Sequence, residues 1–174
     1  MNKIFTITFI FLSTFLSAQN LDAEPQNYLS FEPGFTSTYG GLSDKFSPTI
    51  EFGRQWQDVF TMGLALGKTT SSNRLLDDVY LEIRPNLNVF QVGKFVNTFT
   101  PGIGYVFGPN SNLMLEFTSG IEYSYSDKIH FNVSYGSYTY SGKSAELSRP
   151  STNFVAFSIV RFFKPTKTKG LIGK

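Results

Sequence analysis

The chain has 174 residues, with 15 Lys and Arg against 13 Asp and Glu and a formal charge of +2, too even a balance for a nucleic-acid binder. It has no cysteine and one histidine, His130, which excludes a disulfide scaffold, a thiol nucleophile and any Cys- or multi-histidine metal site. The unusual quantity is the aromatic load: nineteen Phe, nine Tyr and one Trp make 17% of the chain, against 16% charged residues.

Residues 1–18 read MNKIFTITFIFLSTFLSA. Lys3 gives a positive start, Ile4 to Leu16 an apolar run, and Ser17-Ala18 small residues before Gln19. That is the anatomy of a secretory signal peptide cut after Ala18. The run is shorter than the roughly 20 apolar residues a spanning helix needs. Its Leu16-Ser17-Ala18-Gln19 ending resembles signal peptides of the Bacteroidetes. Residues 19–26 form a polar lead-in.

From there the pattern alternates with period two, the signature of strands with two unlike faces. Leu29, Phe31, Pro33 and Phe35 oppose Ser30, Glu32, Gly34 and Thr36. Pro48, Ile50 and Phe52 oppose Thr49, Glu51 and Gly53. Phe60, Met62, Leu64 and Leu66 follow, against Thr61, Gly63, Ala65 and Gly67. Val79 to Val89 oppose Tyr80, Glu82, Arg84, Asn86 and Asn88. Phe99 to Phe107 oppose Thr98, Thr100, Gly102 and Gly104. Leu113, Leu115, Phe117, Ile121 and Tyr123 oppose Glu116, Thr118, Gly120, Glu122 and Ser124. Ile129 to Tyr135 oppose His130, Asn132, Ser134 and Gly136, and Val155, Phe157, Ile159 and Phe163 oppose Ala156 and Ser158. The runs number eight.

Volume decides which face is inside. About thirty large apolar side chains exceed what the interior of an eight-stranded barrel holds, whereas Gly, Ala, Ser, Thr, Asn and a few charges fit it. The apolar face therefore points outward into lipid, and the fold class is an all-β, eight-stranded antiparallel up-and-down transmembrane β-barrel. A secreted soluble β-sandwich burying the same residues between two sheets is the alternative. Connections alternate as in membrane barrels: tight at Gln57–Val59, Gln91–Phe95 and Ser126–Lys128, longer at Tyr39–Phe46, Thr70–Asp77 and Tyr138–Ser151, with a medium one at Gly108–Asn112. Arg54 and Arg161 fall near strand ends on the tight-turn side, where their heads reach lipid head groups. Trp56, Phe90, Tyr123, Tyr125 and Phe163 make an aromatic girdle there; Tyr39, Tyr105, Phe107 and Tyr138 make one at the other rim. Face-matching of hairpin partners predicts three-residue turns, with Trp56 opposite Phe60 and Tyr125 opposite Ile129.

The strand pattern, and a last strand Asn153–Phe163 ending in an aromatic, resemble the small outer-membrane barrels of the OmpA/OmpX type. The resemblance covers residues 27–163 and implies a monomer in a Gram-negative outer membrane, with both termini periplasmic. It implies lipid, lipopolysaccharide and the barrel assembly machinery as partners. The departure is residues 164–174, KPTKTKGLIGK, a basic tail beyond the terminal aromatic, read as a solvated periplasmic extension.

Glu32, Glu51, Glu82, Arg84, Glu116, Glu122 and His130 share the lumen face. Buried charges demand partners, so these residues predict a polar network that plugs the barrel. Five acids on one arginine leave a surplus to be met by protonation, by solvent near a mouth, or by His130 or Lys68. The enzymatic alternative is a barrel hydrolase acting on lipid A acyl chains. The lipid A deacylase family is similar in length and strand count, with a late-strand His-x-Ser signature. Here Asn132 holds the serine position, and only the lumen-facing set His130, Ser134 and Glu122 keeps a Ser–His–acid idea alive. The reading is therefore not an enzyme, with no cofactor and no metal. Its role is structural or interactive, through external loops that meet an unidentified ligand.

Overall fold

The computed structural model describes residues 24–37, 47–68, 79–107, 111–141 and 151–163. The signal peptide, most of the lead-in, the basic tail and the cores of the longer loops, Tyr39 included, lie outside the described residues.

The described segments are β1 (Gln26–Glu32), β2 (Gly34–Ser37), β3 (Thr49–Trp56), β4 (Phe60–Lys68), β5 (Val79–Val92), β6 (Phe95–Phe107), β7 (Asn112–Ser126), β8 (Ile129–Ser141) and β9 (Ser151–Phe163). Pro33 has no N–H to give to a ladder, and it divides one strand into β1 and β2. The register is unbroken across it, from Phe31↔Ile159 in β1 to Gly34↔Ala156 in β2. The nine segments thus make eight staves, each antiparallel to its neighbour, in the order β1-β3-β4-β5-β6-β7-β8-β9, and the β1–β9 pairing closes the sheet on itself. Closure pairs β1 and each of β3 to β9 on both sides, and β2 pairs with β9 alone among the described residues.

One end of the barrel carries tight turns. Trp56 pairs with Phe60 across Gln57-Asp58-Val59, the predicted three-residue turn. Val92 pairs with Phe95 across Gly93-Lys94. The third turn differs from expectation. Ser124↔His130 and Glu122↔Asn132 pair as face-matching requires, but Ser126 pairs with Ile129 across two residues, Asp127 and Lys128. The register shifts between Ser124 and Ser126, so Tyr125 is a bulge residue and does not pair with Ile129. The start of β1 and the end of β9 lie at this same end, with Asn27 opposite Phe163. At the loop end β8 runs to Ser141, so Tyr138 belongs to a strand and not to a loop.

The two faces have opposite polarity to those of a water-soluble protein. Ile50, Phe52, Leu64, Leu66, Ile83, Ile103, Phe117, Ile121 and Val133 are all exposed, Phe52 at 59%. Glu82, Arg84 and Glu116 are buried, Glu116 completely. The lumen also holds more aromatic volume than small residues alone would suggest. Tyr80, Val106, Met114, Tyr138, Tyr140, Phe154 and Ala156 pack together inside, and Tyr28, Val160 and Phe162 form a second cluster nearer the turns. Tyr138 therefore lies inside and is not part of an outer girdle. It stacks on Phe154 with ring centres 4.4 Å apart. Its parity, shared with Ser134 and Gly136, demands this.

Candidate functional site

Period-two geometry sends the alternate residues of every strand inward, and Arg84 on β5 meets carboxylates from four strands. Its Nη2 donates to Glu116 Oε1 at 2.6 Å and its Nη1 to Glu51 Oε2 at 3.1 Å. Glu32 Oε2 is 3.5 Å from Nη1, and Glu82 Oε2 is 3.9 Å from Nε. Thr118 donates a hydroxyl to Glu116, and the Tyr28 hydroxyl donates to Glu51. Neither Glu82 oxygen has a hydrogen-bond partner among the described residues.

Glycines opposite this cluster make its room. A Cβ on Gly63 would meet the Glu51 carboxyl and the Tyr28 hydroxyl, and one on Gly102 would meet the Glu82 carboxyl. Above the cluster, toward the loops, the Tyr80 hydroxyl is 2.6 Å from Thr49 Oγ1 and 3.4 Å from the Tyr138 hydroxyl. Below it a cavity of about 50 Å³ is lined by Arg84, Glu32, Glu51, Glu122, Asn132 and Ser134, among others.

Glu122 and His130 form a separate pair nearer the turns. His130 Nδ1 is 2.7 Å from Glu122 Oε1, and the imidazole packs on Phe162 with ring centres 4.6 Å apart. His130 also lines a wider vestibule of about 580 Å³ that opens at the turn end, together with Gln26, Gln55, Asp58, Lys94 and Asp127. Asp58, in the first turn, accepts from Gln55 Nε2 at 3.3 Å. Partial burial pushes its carboxyl up from the usual range, and the charge of His130 works against that.

The seven lumen residues thus fall into two groups. Arg84 gathers Glu32, Glu51, Glu82 and Glu116, and His130 takes Glu122. Lys68 joins neither, being exposed on the outward parity of β4. The catalytic alternative does not assemble. Ser134 is four residues from His130 on the same strand, a rise of about 13 Å, far beyond hydrogen-bond reach. It lines the inner cavity while His130 lines the vestibule. Among the described residues no group of three or more His, Asp or Glu is arranged to hold a metal ion.

The outer rim is built as regularly as the lumen. Arg54 lies over Trp56 at 5.8 Å and Arg161 over Phe163 at 5.4 Å. Trp56 stacks on Phe60, half-buried Tyr123 packs against Phe95, and Tyr125 meets Phe131 edge-on. At the other rim Tyr105 and Phe107 are exposed and in contact. The runs read from the sequence place these rings, apart from Phe95, and give no face to Phe154 and Phe162. The signal for both was parity with Ala156 and Ser158.

No family model matches the sequence, and no curated protein does. Solved structures match by fold. The N-terminal β-barrel domain of Pseudomonas aeruginosa OprF aligns with TM-score 0.55 and 10% identity, over 80% of this chain and 100% of that one. The de novo designed barrel TMB2.3 aligns with TM-score 0.52 and 15% identity, over 80% and 97%. A structure from a study of de novo designed transmembrane β-barrels aligns with TM-score 0.51 and 13% identity, over 79% and 95%. At such identities the likeness is one of architecture, and the architecture is an eight-stranded, closed, antiparallel β-barrel like that of the OprF domain.

Proposed function

We propose that the chain is an outer-membrane β-barrel protein with a plugged lumen, whose external loops are its contact surface. The observation that carries this is the inverted polarity: large apolar side chains cover the outside of a closed sheet, and the charges sit within it. Lipid is the solvent that stabilises such an exterior, because closure satisfies the backbone internally. The lumen belongs to the plug: the Arg84 cluster and the Tyr80–Tyr138–Phe154 layer fill it, and eight strands leave little more than side-chain space.

Export by the N-terminal signal peptide, insertion by the barrel assembly machinery, a monomeric state and periplasmic termini belong to the same reading. So do lipid and lipopolysaccharide around the belt and a partner at the loops. The alternation of turns of two or three residues with longer connections supports the orientation. No catalytic role is included, since Ser134 and His130 are held apart.

The test is gel migration before and after boiling, together with detergent dependence of solubility. Heat-modifiable migration and a need for detergent are expected. A water-soluble, detergent-indifferent product would overturn the reading. Protease added to intact cells should cut between β8 and β9; cleavage only after permeabilisation would overturn the orientation.

A further inference from the structure

Of the three arginines among the described residues, Arg84 faces the lumen and two face outward beside the apolar Leu29, Phe52 and Ile159. Arg54 on β3 and Arg161 on β9 are both exposed, and they flank β1 from its two sides. Arg54 is opposite Asn27 and Arg161 opposite Leu29. With about 4.8 Å between strands and about 3.4 Å per residue, their Cα atoms are on the order of 12 Å apart. Each guanidinium is drawn over a ring two residues nearer the turn end, Trp56 for Arg54 and Phe163 for Arg161. Phe163 is itself opposite Asn27, so the two charged heads bracket the start of β1, with the partly exposed Asn27 between them.

Among the described residues no carboxylate on this face balances them. Glu32, Glu51, Glu82, Glu116 and Glu122, the strand carboxylates among the described residues, all share the lumen parity. Neither Arg54 nor Arg161 forms an ion pair among the described residues. Stacking uses the flat face of a guanidinium and leaves its N–H edge free to donate. Two such edges and an amide, above the apolar surface of Leu29, Phe31, Phe52 and Ile159, match one kind of molecule. It must carry a compact anion at one end and hydrocarbon at the other.

We propose that Arg54, Asn27 and Arg161 form a binding site for the phosphate headgroup of an anionic phospholipid in the leaflet at the turn end, its acyl chains lying along β1 and its neighbours. The site rests on the membrane-barrel reading above and adds to it a discrete, selective lipid position.

Trp56 is the chain's one tryptophan and lies beneath Arg54, so its fluorescence reports on the site. The full chain is folded into phosphatidylcholine vesicles, and brominated phosphatidylglycerol or brominated phosphatidylcholine is titrated in as a quencher. Phosphatidylglycerol is expected to associate more tightly at Trp56. Arg161→Gln, two strands from the reporter, should weaken that association about fivefold, and the double variant R54Q/R161Q about thirtyfold. Equal quenching by the two lipids in the unaltered barrel overturns the inference even if no variant folds. So does undiminished phosphatidylglycerol preference in the double variant. A chain that neither inserts nor is quenched by either lipid overturns the membrane reading, and this site with it.

Discussion

Arg84 holds four carboxylates in a space that offers them few other donors. A buried ion cluster of this kind adds little net stability over apolar packing, but breaking it is costly, because the remaining charges stay behind uncompensated. Arg84→Met is therefore expected to destabilise the barrel by about 3–5 kcal/mol, read from urea unfolding of the vesicle-inserted protein. Glu82→Gln is expected to be neutral or stabilising in the same assay, since neither Glu82 oxygen has a hydrogen-bond partner among the described residues. A mild Arg84→Met would mean that the cluster is solvated and not a plug. The members of the cluster were legible in the sequence, because parity assigns a face to every strand residue. Their partition was not: which glutamate meets Arg84 and which meets His130 depends on strand tilt and on room left by Gly63 and Gly102. Tyr138 shows the opposite case. Parity with Ser134 and Gly136 puts it inside, although its place near the loop end suggests an aromatic rim.

Among the elements, the tight turns carry the strain. Gln57 has φ 58° and Gly93 φ 59°, both in the left-handed region, and only glycine enters it without steric cost. Gln57→Gly is expected to stabilise the β3–β4 hairpin by about 0.5–1 kcal/mol, measured by equilibrium unfolding. Gly93→Ala is expected to cost about 1 kcal/mol from backbone strain alone, as an added Cβ there would meet nothing within 4 Å. Equal effects at the two positions would show that the turns are not held in this conformation. The Gln57 turn was readable because Trp56 and Phe60 share a face and three residues separate them. The Asp127-Lys128 turn was readable only in register. A bulge such as the one at Tyr125 changes turn length without changing which residues pair farther along, so face-matching does not detect it. The division of the first stave at Pro33 has a plain local cause, yet the sequence alone does not say that register survives it.

At the scale of the molecule, inward and outward parity lock together around the whole sheet. Leu29, Phe52, Leu64, Ile83, Ile103 and Leu115 are successive register partners across six staves, and every one is exposed. Such a row is a liability in water and an asset in hydrocarbon, and a single substitution separates the two solvents. Leu64 is 51% exposed, near the middle of β4 and flanked by Phe52 and Ile83. An arginine at so exposed a position on a water-soluble protein is close to neutral. In a bilayer midplane it costs about 2–4 kcal/mol, and near the head groups about 0–1 kcal/mol. Leu64→Arg is therefore expected to lose about 2–4 kcal/mol of unfolding free energy in vesicles, whereas the native Arg54, one step nearer the turns on the adjacent strand, is tolerated. A neutral Leu64→Arg would place that row outside the hydrocarbon, and the belt would then need a protein covering instead of lipid.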